Sequence, residues 1–280
     1  MKFCVLRSGS SGNCTYIEHC DTRVILDAGG MSKIGLDRLF DEIGADPLQI
    51  DGVLISHLHT DHINKSTFNF CRSYNLPLFI HEENRGSLEN IFDEKCRREV
   101  EIKNFRFEDS FSIGEICFTP FELSHDAAGV CSGFVFRCAL NEDAPATGYA
   151  ADLGHAPPKV INALKNCSAL LIEANHDLSL LWSNPNRPYT HKARVGGAKG
   201  HLSNEQAAQA ILEIINVSIT RPRVVVLCHL SKDHNSPSLA LKQVKNILGD
   251  NGKAVSFTVA KRDRRTEFLT FEEQDVFVKD

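Results

Sequence analysis

Apolar positions in the first third of the chain fall in short runs with strand-like spacing, at residues 3–7, 14–18 and 23–26. The period then lengthens to that of an amphipathic helix over 33–43, and a further apolar strand is expected at 52–56. The second half repeats the rhythm. Strands are predicted at 115–121, 133–138 and 147–150, a helix at 157–165, a strand at 169–172, a helix at 204–217, a strand at 223–228 and a helix at 237–248. Continuous apolar strands between helices imply sheets covered on one face by helices. Residues 175–200 break the pattern with Pro185, Pro188, Gly196, Gly197, Gly200 and four basic residues, and are read as a long loop, a feature that in compact domains is functional or disordered. With no repeat, low-complexity tract or linker, residues 1–280 are read as one domain.

Composition narrows the class. At 280 residues and 42% hydrophobic content the chain can bury a sizeable core. Its longest apolar runs, at 169–172 and 224–228, fall far short of the roughly 18 to 20 residues of a membrane helix, and the start shows no signal-peptide pattern, so a cytoplasmic protein with no membrane partner is expected. Ten cysteines lack any CxxC pair, and Cys4, Cys138 and Cys228 sit inside apolar strands, as reduced packing thiols do. A net charge of -5 argues against a broad basic surface, although bound cations would bring their own positive charge.

The candidate chemistry sits at strand ends. Five apolar runs terminate in a residue able to bind metal or move protons: Asp27, His57, Asp152, Glu173 and His229. In α/β sheets the carboxyl ends of strands share a rim, so residues far apart in sequence can converge there. The densest signal is His57-Leu58-His59-Thr60-Asp61-His62, which offers ligands for two cations. His57 and His59 would project to one cation, Asp61 and His62 to the next. A strand precedes this run and a helical pattern over 63–74 follows it.

This motif resembles that of the metallo-β-lactamase superfamily, whose pattern continues with a distant His, an Asp and a final His. His125 in Ser124-His125-Asp126, Asp152 in Ala151-Asp152-Leu153-Gly154, and His229 in Cys228-His229-Leu230-Ser231 match in order. The resemblance implies an α/β fold, an αββα sandwich of two mixed sheets with helices outside. It also implies two divalent metal ions, one taking His57, His59, His125 and Asp152, the other Asp61, His62, His229 and Asp152. Asp27 matches the family's first Asp, which orients ligands.

Ile172-Glu173-Ala174-Asn175-His176, followed by Gly200-His201-Leu202-Ser203-Asn204-Glu205-Gln206, resembles the paired Glu and His loops of tRNA 3′-processing enzymes. In those, the His is the proposed proton donor and the Glu positions it. Ser203 and Gln206 also form a plausible capping box, which sets His201 just before a helix start. His155, His176, His191 and His234 are weaker signals, read mostly as surface groups or supports behind the ligands. Gly9-Ser10-Ser11-Gly12-Asn13 has no Walker lysine and opens no helix, so it is read as a tight hairpin loop near the site. That opening, with the segments around His201 and His229, is similar to the YycJ/WalJ group, which is associated with 5′ to 3′ exonuclease activity on DNA. Room for a large inserted β-CASP domain is lacking, and so is a Gly/Pro-rich tRNA-gripping arm. Arg187, Lys192, Arg194 and Lys199 are the candidate phosphate-backbone contacts.

The expected function is therefore two-metal phosphodiester hydrolysis on nucleic acid, with DNA taken from an end. Asp61 would orient or deprotonate the nucleophile, while His201, held by Glu173, protonates the leaving oxygen. Histidine-rich ligation suits zinc, and mixed His and Asp sites accept manganese. The rivals are a small-molecule thioester or lactone hydrolase, an RNA-processing nuclease, and a non-catalytic metal-binding or DNA-repair interaction module.

Overall fold

A computed structural model describes residues 1–270; the last ten residues of the expected domain lie outside the described part. In chain order the first half runs β1 (Lys2–Arg7), β2 (Cys14–His19), β3 (Thr22–Leu26), α1 (Lys33–Ile43), β4 (Gly52–Leu54), α2 (Lys65–Tyr74), β5 (Leu78–His81), α3 (Asn84–Ile91), α4 (Glu94–Arg97) and β6 (Ile102–Phe105). The second half runs β7 (Phe111–Ile113), β8 (Ile116–Leu123), β9 (Cys131–Cys138), β10 (Thr147–Ala150), α5 (Pro158–Ala163), β11 (Ala169–Glu173), α6 (Leu178–Ser183), α7 (Tyr189–Val195), α8 (Asn204–Val217), β12 (Val224–Cys228), α9 (Pro237–Leu248), β13 (Ser256–Val259) and β14 (Leu269–Thr270).

These strands form two seven-stranded sheets, β14-β1-β2-β3-β4-β5-β6 and β13-β12-β11-β10-β9-β8-β7. Each is mixed. Pairing is antiparallel through β1-β2-β3 and β7-β8-β9-β10, and parallel through β3-β4-β5-β6 and β10-β11-β12-β13.

Period-two alternation within buried strands assigns the layers. Leu170 and Ile172 of β11, and Val225 and Leu227 of β12, pack with α5, α8 and α9. Their neighbours Ala169, Leu171, Val226 and Cys228 face the other sheet, meeting Phe3, Val24, Leu26 and Leu54. Ile25 and Val53 turn the opposite way, onto Leu36 and Phe40 of α1 and Phe68 of α2. Helix, sheet, sheet, helix is the αββα sandwich that the resemblance implied. Strands buried on both faces carry the unbroken apolar runs seen in the sequence.

Helix ends follow local chemistry. Ser203 and Gln206 make the expected capping box at α8, with Gln206 N donating to Ser203 Oγ at 3.1 Å and Ser203 N to Gln206 Oε1 at 2.8 Å. The helix expected from residue 63 begins later because Asn64 caps it, accepting from Ser66 N and Thr67 N. The segment expected as a long loop is not one: it holds α6 and α7. Asp177 Oδ1 accepts from Leu180 N at 2.7 Å to start α6, and Pro188, with φ fixed at -65°, leads into α7. Helices of six and seven residues broken by prolines carry too few turns for a 3.6-residue period to show.

Candidate metal centre

Asp27, His57, Asp152 and His229 follow β3, β4, β10 and β12, and Glu173 ends β11. All five strands run in the parallel parts of their sheets, so their carboxyl ends open on one rim. Asp27, Asp152 and His229 have left-handed backbones, with φ of 62°, 63° and 54°. Non-glycine residues hold such conformations only where the surroundings over-determine them, which is common at functional sites. Gly29 lets two chain segments close: a Cβ there would stand 2.3 Å from the His62 backbone nitrogen.

The seven expected ligands converge in two groups. The donor atoms of His57, His59 and His125 lie within 4.8 Å of one another, as do those of Asp61, His62 and His229. Asp152 lies between them, with Oδ2 3.0 Å from His62 Nε2 and Oδ1 3.7 Å from His125 Nε2. Its Oδ2 is buried and, despite that short distance, has no hydrogen bond of acceptable geometry.

Outer nitrogens of the imidazoles are held by oxygen. His62 Nδ1 donates to Asp27 Oδ2 at 2.8 Å, His229 Nδ1 to Glu173 Oε1 at 2.9 Å, and His125 Nδ1 to the Gly200 carbonyl at 2.9 Å. His57 Nδ1 donates to Ser56 Oγ at 3.1 Å, and that hydroxyl donates in turn to Asp27. Protons on the outer nitrogens leave lone pairs on the inner ones. Yet His57 Nε2 sits 3.1 Å and His125 Nε2 3.2 Å from His59 Nδ1. Nitrogens around a tetrahedral ion at about 2.0–2.1 Å are spaced by about 3.3 Å, so this donor set fits a divalent cation.

The electrostatics divide along the same line. Burial pushes His57, His59 and His125 below the ordinary histidine range, as suits neutral ligands. Burial opposes charge on His62 and His229 too, but Asp27, Asp152 and Asp61 around the first, and Asp152, Asp61 and Glu173 around the second, raise both well above it. Glu173 pays for full burial with four contacts and is held down to about 2 by His201 and His229. Oε1 takes His201 Nδ1 at 2.8 Å as well as His229, and Oε2 accepts from Leu153 N at 3.1 Å and Leu202 N at 3.3 Å. His201 is the mostly buried end of this chain that still reaches solvent, its own backbone N donating to Val195 O at 2.8 Å.

The rim opens into a cleft of about 580 Å³ lined by Ser10, His59, Asp61, Asp126, Asp152, Arg194, His201 and His229, among others. Residues 22–230 match the β-lactamase superfamily domain. The chain belongs to the β-lactamase superfamily. It is 32% identical over 263 residues to the exodeoxyribonuclease WalJ of Streptococcus pneumoniae, covering 92% of this chain and 93% of WalJ. Against the exodeoxyribonuclease YycJ of Bacillus anthracis it is 29% identical over 255 residues, covering 91% and 92%. Among solved structures, the metallo-β-lactamase fold protein YhfI of Bacillus subtilis superposes with a TM-score of 0.69 at 17% identity, covering 95% of this chain and 99% of YhfI.

The four basic residues do not act as one patch. Arg194 reaches the cleft and pairs with Asp126, Nη2 to Oδ1 at 3.0 Å. Lys199 lines a neighbouring cleft of about 360 Å³ with His125, His155 and Lys159. Arg187 pairs with Asp233, and Lys192 Nζ donates to the Trp182 carbonyl at 2.9 Å. Of the weaker histidines, His176 and His234 are buried rather than exposed.

Sequence reasoning missed the residues that hold the ligands. Ser56 bridges His57, His62 and Asp27; Tyr149 donates to Asp27 Oδ2 at 3.1 Å; Asn13 Nδ2 donates to Asp61 Oδ2 at 3.2 Å and faces His62 Nε2 at 2.9 Å; Ser8 Oγ accepts from His229 N at 2.8 Å. Only Ser56, lodged between strand end and motif, and Asn13, in the Gly9–Asn13 loop, carried any positional signal.

Proposed function

We propose that this chain is a metal-dependent exonuclease that hydrolyses DNA phosphodiester bonds from the 5′ end, acting in the cytoplasm as one 280-residue domain. The observation that carries the reading is the pair of donor groups joined at Asp152, with His201 held beside them by Glu173 at 2.8 Å. The exodeoxyribonuclease names of relatives matched over more than nine-tenths of the chain support DNA as the substrate. His57, His59, His125 and Asp152 would hold one cation, and Asp61, His62, His229 and Asp152 the other. When bound, two divalent ions, zinc or manganese, activate water and neutralise charge at the phosphate.

The chain's own groups do the rest. Asp61, held by Asn13 and lining the cleft, orients the attacking water and accepts its proton. His201 keeps Nδ1 on Glu173, which leaves Nε2 to deliver a proton to the departing sugar oxygen. Burial lowers the hold of His201 on its proton, but Glu173 and Asp152 outweigh it and raise it above the ordinary histidine range, as a proton donor near neutral pH requires. Arg194 and Lys199 contact flanking phosphates, whereas Arg187 and Lys192 serve further from the cleft.

End-labelled single- and double-stranded DNA and RNA, incubated with the protein and Mn²⁺, Zn²⁺ or a chelator, tests the reading. DNA shortened from its 5′ end only when metal is present is expected. Rapid thioester or lactone turnover with no nucleic acid cut under any metal overturns it.

A further inference from the structure

Outside the cleft, α6 and α7 raise two aromatic side chains into solvent. Trp182 is 45% exposed and Tyr189 74%, in a protein whose large aromatic residues are otherwise mostly buried. Their ring centroids lie 5.9 Å apart at 41°, so the two rings form one continuous face rather than two separate exposures. Burial cannot account for keeping such rings in water, since exposing them forfeits their main contribution to stability.

The face is rigidly mounted. Lys192 Nζ ties α7 to the Trp182 carbonyl at 2.9 Å, and Asn184 Nδ2 meets His234 Nε2 at 3.0 Å. Arg187, in the turn between the helices, clasps Asp233 of the segment between β12 and α9. The far end of α7 is part of the cleft: Arg194 lines it, and Val195 O accepts from His201 N. From Tyr189 to Arg194 the helix climbs about 7 Å, roughly two steps of a strand stacked at about 3.4 Å.

We propose that Trp182 and Tyr189 form a stacking platform for the bases of single-stranded DNA leading into the cleft. This rests on the nuclease reading and names the form of its substrate. Every base has a π face, so aromatic platforms beside basic side chains hold single strands with little regard to sequence. The charge fits. Arg187 and Arg194 are paired with Asp233 and Asp126, but Lys192, tied to the Trp182 carbonyl beside the rings, and Lys199, beside the cleft, have no carboxylate partner among the described residues. The one carboxylate within 177–200, Asp177, is engaged by Leu180 N and Gln243. Duplex DNA does not fit, because its base faces are covered by their neighbours. A second copy of the chain fits poorly as well, since a two-fold pairing of this face would set like charges together.

Trp182 is the sole tryptophan, so its emission reports on the platform directly. Titrating metal-loaded protein with a phosphorothioate oligothymidylate, which stays intact, should quench that emission saturably. Trp182→Ala and Tyr189→Ala should each raise KM for single-stranded DNA about five- to a hundred-fold with kcat little changed. Trp182→Phe and Tyr189→Phe should restore most of the loss. If DNA is cut but saturating oligonucleotide leaves the emission unchanged, or the alanine variants keep the parent KM, the platform is wrong and the nuclease reading stands. If no DNA is bound or cut, both fall. If the alanine variants instead turn a sedimenting dimer into monomer, the face is a self-association surface and the proposal is overturned.

Discussion

The two donor groups use the same ligand type and are built on different supports. Behind His57 stands a serine hydroxyl and behind His125 a backbone carbonyl, whereas His62 and His229 rest on the carboxylates of Asp27 and Glu173. Asp61 adds a further anion to the second group alone. An imidazole backed by a carboxylate is the more basic ligand. The second group therefore attracts positive charge more strongly than the first, and Asp152 lies between the two. Similar residues, differently supported, give two donor groups of unequal attraction for positive charge.

Breaking what the groups share has the largest expected effect. Asp152→Ala should cut metal content by elemental analysis from about two equivalents toward none, and DNA cleavage to background. A variant that keeps both equivalents shows that the groups do not depend on a common ligand. Next comes chemistry beside the metals. His201→Ala should slow DNA hydrolysis about a hundred- to ten-thousand-fold with metal content unchanged, and hydrolysis of a nitrophenyl phosphodiester, whose leaving group needs little protonation, far less. Equal losses on both substrates, or loss of metal, would return His201 to the ligands. Smaller still is the effect of weakening one support. Asp27→Asn should lower affinity at the Asp61 position about ten- to a hundred-fold and at the His59 position less, since Asp27 touches His62 directly but reaches His57 only through Ser56, so a chelator titration should strip one equivalent well before the other. Parallel weakening of both equivalents would break the claimed inequality.

Legibility in the sequence cut across this division. His57, His59, Asp61 and His62 were readable because the turn after β4 packs them into six residues. Asp152 and His229 were readable only as polar residues closing apolar strands, and the family pattern was needed to select them and to find His125 at all. Elements with one long period were placed well: α1, α8 and α9 have the expected bounds. Residues 78–113 were not read at all. β5 is four buried residues whose pattern fits strand or helix, and β6 is half exposed at the edge of its sheet. Supports such as Tyr149 and Ser8 act through contacts spanning more than a hundred residues, which no local pattern encodes.

One buried histidine lies outside the pattern of supported imidazoles and sharpens the comparison. His176 is wholly buried, with neither ring nitrogen hydrogen-bonded, where each rim histidine but His59 has an oxygen behind it. Burial pushes it from 6.5 down to about 4, so the folded protein holds it neutral. Below pH 6.5 the unfolded chain takes up a proton that the folded chain refuses, so the stability it contributes is complete above that pH and declines as pH falls toward about 4. At pH 5 the loss is about 2 kcal/mol, from 1.36 kcal/mol for each pH unit. His176→Leu should remove that slope, so that the variant gains on the parent in urea midpoint as pH falls from 7 to 5. The rim histidines titrate alike in both proteins and drop out of the difference. A difference independent of pH would mean that His176 finds a partner in solution and belongs with the supported histidines after all.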